Sequence, residues 1–235
     1  MLNDRLKRQR GMNMKALSVF DIIGPNMIGP SSSHTAGALR LARVMYKLVS
    51  EPIEEVTFVL YGSFAKTYKG HGTDKALVAG LLGMGEEDER IKEAFRYAQE
   101  AGLKYHFEIS ESIHYKHPNT VEISVKDSKG ERMRLTGSSI GGGAISVDKV
   151  NGIEVFFTGE YYTLFITHQD RPGVVAHISE CLSNYDINIA YMRLYREQKG
   201  TMASTIIEAD EPLSEEVLEA IKASPSIYNA KIFHL

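Results

Sequence analysis

Leu41, Val44, Met45 and Leu48 fall at i, i+3, i+4 and i+7, the spacing of one buried helical stripe. Arg40, Arg43 and Lys47 take more exposed positions, and Glu51-Pro52 ends the helix. Ser18 to Ile23 predicts a short helix or turn that stops at Gly24-Pro25. Ile53 to Tyr61 is rich in β-branched and aromatic residues and predicts a strand. Lys75 to Leu82 predicts an apolar helix that Thr73 or Asp74 is placed to cap. Asp88 to Ala101 predicts a surface helix with Ile91, Ala94, Phe95 and Ala98 inward and Gly102 as its C-cap. Leu103, Tyr105, Phe107 and Ile109 then alternate with Lys104, His106 and Glu108, as in a half-buried strand. Val121, Ile123 and Val125 alternate before Asp127-Ser128-Lys129-Gly130, and Met133 and Leu135 after it, which predicts a hairpin. Ala144 to Phe157 predicts a second hairpin around Asn151-Gly152.

Beyond Thr158-Gly159-Glu160 the order becomes strand, helix, strand, strand, helix, strand. Tyr162 to His168 is the first strand, and Asp170-Arg171-Pro172-Gly173 turns into a helix with Val174, Ile178, Cys181 and Leu182 inward. Ile187 to Tyr195 and Thr201 to Glu208 follow as strands, then a helix capped by Ser214, then a strand from Ile227 to Phe233. This βαββαβ order predicts a four-stranded antiparallel sheet with both helices on one face. The other face is expected to be free for a partner. The fold class is therefore α+β, with an α/β domain over 15–157 and a second domain over 161–235. Residues 1–14 form a basic leader expected to be disordered, with Met14 as an alternative start.

The 235 residues suffice for one large core or two smaller ones. No apolar run is long enough to cross a bilayer, and no signal-peptide core follows the leader. A cytoplasmic protein without membrane contact is expected. The net charge of -3 and the lack of a basic face beyond the leader argue against nucleic acid as a partner. Cys181 is the single cysteine, so an intrachain disulfide is excluded and a thiolate metal site needs another chain. Its helical spacing makes it a small buried hydrophobe.

Two loops carry candidate chemistry. Ser31-Ser32-Ser33-His34-Thr35-Ala36-Gly37 follows the turns Gly24-Pro25 and Gly29-Pro30 and opens a helix. Unpaired N–H groups and about half a positive charge at a helix start suit a carboxylate or phosphate. His34 adds an acid–base group beside it. The plainer alternative is a serine N-cap next to an unrelated histidine. The second loop, Tyr61 to Asp74, contains Lys66 and the run Gly70-His71-Gly72-Thr73-Asp74 ahead of another helix. Its glycines let the main chain approach a ligand, or else mark a mobile loop. Thr136 to Gly143 offers hydroxyls and exposed amides as an anion nest without a nucleotide P-loop ending. His106, His114 and His117 lack a metal-binding motif, and no metal site is expected in this chain.

His168-Gln169-Asp170-Arg171-Pro172-Gly173-Val174-Val175 and the βαββαβ order make Tyr161 to Leu235 resemble a ferredoxin-like ACT domain. The resemblance implies side-by-side pairing into a homodimer and an amino-acid effector site near Asp170, Gly173 and Val174. Lys15 to about Phe157 looks like the β chain of an iron–sulfur-dependent L-serine dehydratase, with an allosteric-substrate-binding-like fold. The residues that carry this are Ser18-Val19-Phe20-Asp21-Ile22-Ile23-Gly24-Pro25, Gly29 to Gly37, Gly70 to Asp74 and Gly137 to Gly143.

That second resemblance implies conversion of L-serine to pyruvate and ammonia. It implies a partner α chain whose cysteines hold a [4Fe–4S] cluster, the iron acting as Lewis acid on the serine hydroxyl. This chain would supply the carboxylate site and polar groups. His34 and His71 are the candidate catalytic groups, since histidine titrates near neutral pH. Ser31, Ser32, Ser33, Thr35, Gly72, Thr73 and Lys66 are the candidate substrate-binding residues. The competing class is a non-catalytic regulatory protein that binds a small amino acid or carboxylate through both domains. A hydrolase built on Ser33 and His34 lacks a nucleophile-elbow pattern.

Overall fold

The structure, a computed structural model, describes residues 27–112, 114–196 and 198–235. The expected leader and the short helix or turn over Ser18 to Ile23 lie outside the described residues. One wide turn of π-helix, Ser32–Ala36, runs directly into helix α1, Gly37–Leu48. Leu41, Val44, Met45 and Leu48 are all buried, as their spacing predicts. Then follow strand β1 (Ile53–Leu60), helix α2 (Gly62–Thr67), helix α3 (Thr73–Leu81), a 3-10 turn (Glu89–Glu93) and helix α4 (Ala94–Glu100). Strands β2 (Lys104–Ile109), β3 (Thr120–Asp127), β4 (Arg132–Gly141), β5 (Ala144–Val150) and β6 (Ile153–Phe157) complete the first half.

These strands form a mixed six-stranded sheet in the order β2-β1-β3-β4-β5-β6. Only the β1–β2 pair is parallel, because α2, α3 and α4 form the crossover between them. Val56, Phe58 and Leu60 of β1 and Val121, Ile123 and Val125 of β3 point to the face that α1 and α3 cover. The opposite face carries Glu55, Thr57, Ser124, Lys126, Arg132 and Arg134. The alternation read from the sequence is thus a one-sided sheet.

The second half is a four-stranded antiparallel sheet in the order β10-β7-β9-β8. Its elements are β7 (Tyr162–Gln169), α5 (Val174–Asn184), β8 (Ile189–Arg196), β9 (Met202–Ala209), α6 (Glu215–Lys222) and β10 (Ile227–Phe233). Leu164, Ile166, Ile207 and Ala230 pack with Val174, Ile178, Leu182, Val217 and Ile221 of the two helices. Cys181 is buried there as a free thiol. Desolvation, then the nearby Glu180 charge, pushes its pKa up, the reverse of a reactive thiol.

Several expectations are corrected. The sheet face opposite those helices is not free: Phe165, Ile206 and Phe233 join the core of the first half, and the Phe157 and Phe233 rings lie 5.7 Å apart. The Tyr61–Asp74 loop contains the helix α2, which its glycines hid. Neither Thr73 nor Asp74 caps α3, since Gly72 holds the N-cap position at φ +67° and Asp74 Oδ1 accepts from its neighbour Lys75 N instead. Thr136 to Ile140 forms no anion nest. β4 runs through that segment and pairs with β3 and β5, leaving only the Gly142-Gly143 turn outside the strands. Ile109 ends β2 half-exposed rather than buried.

Candidate active site at two helix starts

Ser31 stands in extended conformation ahead of the π-turn, and its Oγ accepts the backbone N–H of His34 at 3.1 Å. The cap therefore sets the histidine's own main chain. The π-turn holds one residue more than an α-helical turn, a feature often found at functional sites. On one side of the ring, His34 Nδ1 lies 3.1 Å from Ser33 Oγ and 3.3 Å from Ser31 Oγ. On the other, Nε2 lies 2.9 Å from Ser63 Oγ. Phe64 packs edge-on at 5.5 Å between ring centroids.

His71 closes the arrangement, its ring centroid 4.8 Å from that of His34. The hydroxyl of buried Thr35 donates to the His71 carbonyl at 3.0 Å, tying the second loop to the first. Gly29, at φ +128°, brings the preceding turn against Thr35, where a Cβ would meet the threonine methyl at 2.5 Å. Burial, and next the neighbouring His71, hold the His34 imidazole below its ordinary value. His34 is thus kept neutral at pH 7, the form able to accept a proton.

The sign of the pH dependence follows. The unfolded chain binds a proton at His34 near pH 6.5 and the folded chain binds it only at lower pH. The contribution is fully present above pH 6.5 and is lost as pH falls from there through the folded value. An imidazole NMR titration of the full chain is expected to place the His34 midpoint below 6.5. A midpoint at or above that value contradicts the burial argument.

Two buried hydroxyls nearby have no partner among the described residues. Thr73 Oγ1 heads α3, and Ser139 Oγ sits at the Gly37 backbone where α1 meets β4. An unpaired buried hydroxyl costs about 1–3 kcal/mol, so such atoms commonly mark where a ligand or ordered water belongs. Ser32 is half-buried, and its carbonyl accepts from Gly37 N–H. Lys66 is exposed in the last turn of α2, and no hydrogen bond or ion pair among the described residues ties it to either histidine. The candidates thus divide: Ser31, Ser33, His34, Thr35, His71, Gly72 and Thr73 converge, and Lys66 stands apart.

Ser63 and Phe64 escaped the sequence reading. Their signal was local: Gly62-Ser63 follows a strand directly, and Gly62 has φ +53°. Arg40 and Arg43 escaped it too. Both pair with Glu86, and Arg40 also donates to the Gly143 carbonyl, anchoring the glycine turn.

In the second half, Asp170 accepts from Gly200 N–H at 2.8 Å and pairs with Arg196 at 3.3 Å. Those bonds, the Gly200 amide foremost, hold its carboxyl below the usual range. Gly173 caps α5 at φ +91° with open space where a Cβ would stand. The Val174 side chain is buried in the core, so only its backbone faces that turn. His106, His114 and His117 do not converge. His117 Nδ1 accepts from Asn119 N–H, and among the described residues no three His, Cys, Asp or Glu side chains gather as for a metal ion.

The serine dehydratase beta chain family model matches residues 18–150, and the ACT domain model matches residues 162–225. The chain belongs to the serine dehydratase beta chain family. It is 43% identical over 214 residues to the probable L-serine dehydratase, beta chain of Bacillus subtilis (strain 168), covering 91% of this chain and 96% of that one. It is 41% identical over 218 residues to the L-serine dehydratase, beta chain of Peptoniphilus asaccharolyticus, covering 93% and 98%. A D-3-phosphoglycerate dehydrogenase of Bacillus subtilis shares 26% identity over 198 residues, 83% of this chain but 37% of that protein. As a beta chain of L-serine dehydratase it is a lyase subunit, which implies an alpha-chain partner. Among the described residues no helix is long and apolar enough to cross a membrane.

Proposed function

We propose that this chain supplies the carboxylate-binding and proton-handling side of an active site that converts L-serine to pyruvate and ammonia, completed by the alpha chain. The observation that carries this reading is His34, hydrogen-bonded at both ring nitrogens and set 4.8 Å from the tilted His71 ring between two helix starts. The serine carboxylate docks at the Ser31–Thr35 turn and at the start of α3 near Gly72 and Thr73, where helix dipoles favour negative charge. His34 accepts the Cα proton, and His71 stands ready as its exchange partner.

The [4Fe–4S] cluster associated with such enzymes does not fit this chain. One cysteine, buried on α5 against His177, cannot supply its thiolates. The cluster is assigned to the alpha chain, and departure of the substrate hydroxyl is assigned to no residue here.

Ile109, Tyr115 and Ile140 are exposed at the same end of the six-stranded sheet as Ser63. They give the alpha chain an apolar rim to cover. The edge strand β8, with Tyr191 and Leu194 exposed, is the surface offered to a second copy. The open Gly173 turn supports a second reading, in which the ACT half senses an amino acid and no chemistry occurs in this chain.

Anaerobic mixing with a cysteine-bearing alpha chain and L-serine is expected to yield pyruvate, with neither chain active alone. Calorimetric titration of the isolated chain with L-serine tests the sensor. Serine binding by this chain, with full turnover by an alpha chain lacking it, would overturn the catalytic reading.

A further inference from the structure

Ser63 comes from a different element than the other serines and is held unusually firmly. Its N–H donates to the Pro118 carbonyl at 2.7 Å, and its own carbonyl accepts from the Thr67 hydroxyl at 2.8 Å. Gly62 before it lies at φ +53°, where any Cβ would meet the Pro118 carbonyl oxygen at 2.6 Å. The glycine is thus required for the main chain to pass this close to Pro118. The result is one hydroxyl, fixed by its backbone, 2.9 Å from His34 Nε2.

The two edges of the imidazole are not equivalent. Ser31 Oγ already accepts the His34 backbone N–H, so its hydrogen is left to donate. Ser31 and Ser33, 3.4 Å apart, together present two hydroxyls at Nδ1. Among the described residues a single hydroxyl faces Nε2. A neutral imidazole has one donor nitrogen and one acceptor nitrogen, and the partners select which is which. With the Ser31 oxygen already accepting and its hydrogen free, the edge with two hydroxyls is best served by an unprotonated Nδ1.

We propose that Ser63 is a positioning residue that accepts the Nε2–H of His34, holding the ring in the tautomer whose Nδ1 lone pair faces Ser31 and Ser33. Nδ1 is then the nitrogen that takes a proton, and a ligand docked at the Ser31–Thr35 turn meets it by displacing a serine hydroxyl. This rests on the reading of His34 as the proton acceptor. Ser63 performs the orienting part that a carboxylate plays in hydrolase triads, without adding a charge to the site.

The test uses the full chain with 15N-labelled histidine, then the same chain assembled with its alpha chain. At pH 8, wild-type His34 is expected to show a protonated Nε2 and an unprotonated Nδ1. Ser63→Ala is expected to give a mixture of tautomers, lower kcat about tenfold through loss of ring alignment and leave KM unchanged. Ser63→Thr, which restores the hydroxyl, is expected to recover both. A protonated Nδ1 in the wild type overturns the proposal, as do imidazole signals in Ser63→Ala identical to wild type. Should the tautomer respond while His34→Ala retains full turnover, the catalytic reading of His34 falls and the role of Ser63 in the reaction falls with it.

Discussion

His34→Ala is expected to lower turnover of the assembled enzyme by about a hundredfold or more, the range for loss of a positioned general base. Three features make this the largest functional effect in the chain. The imidazole is kept neutral by burial and by the nearby His71, so its proton-accepting form dominates at pH 7. Serine hydroxyls lie at both nitrogens, within 3.3 Å at the furthest. Its backbone is fixed by the Ser31 cap. The side chain is only partly buried, so truncation removes chemistry more than packing. Far-UV circular dichroism and the denaturant midpoint of the variant should therefore stay near wild type. Ser33→Ala is the milder comparison, because Ser31 remains beside Nδ1. Turnover of His34→Ala within a few-fold of wild type would transfer the base to His71 or to the partner chain.

Much of this architecture was legible because periodicity reports burial. The α1 stripe and the βαββαβ order follow from which side chains must leave water. The pairing of His34 with His71 was only half legible. Each loop announced itself through glycine, histidine and hydroxyls, but the 4.8 Å separation depends on how α1 crosses α3. Ser63 lay in the same glycine-bearing loop, yet α2 is six residues long and too short for a period to register. Thr136 to Ile140 misled for the opposite reason. Small residues that read as a nest are small because α1 presses on that strand: a Cβ on Gly137 would meet Leu41 Cδ2 at 2.5 Å. The ACT sheet's second face misled because alternation reveals that a face is apolar, not what covers it.

Gly80→Ala is expected to destabilise the full chain by about 2 kcal/mol and to cost the assembled enzyme more activity than that loss explains. Two terms oppose. Alanine is worth about 1 kcal/mol more than glycine inside a helix, and Gly80 lies within α3. Against this, a Cβ at position 80 would fall on the Leu39 carbonyl oxygen and lie 2.7 Å from Ala42 Cβ, both on α1. The first of these is backbone, which no rotamer change relieves, so the helices must separate and the second term wins. Ala42→Gly removes only the methyl contact, so the double variant should remain destabilised. Urea unfolding of the three chains reads the difference through their midpoints. The functional consequence follows from where the helices begin: His34 lies three residues before α1 and His71 two before α3. A wider crossing draws the two rings apart and lengthens the Thr35 bond to the His71 carbonyl, so kcat should fall even at temperatures where the variant is fully folded. Equal or greater stability in Gly80→Ala would mean that the crossing is not in close contact and that some other restraint sets the histidine pair.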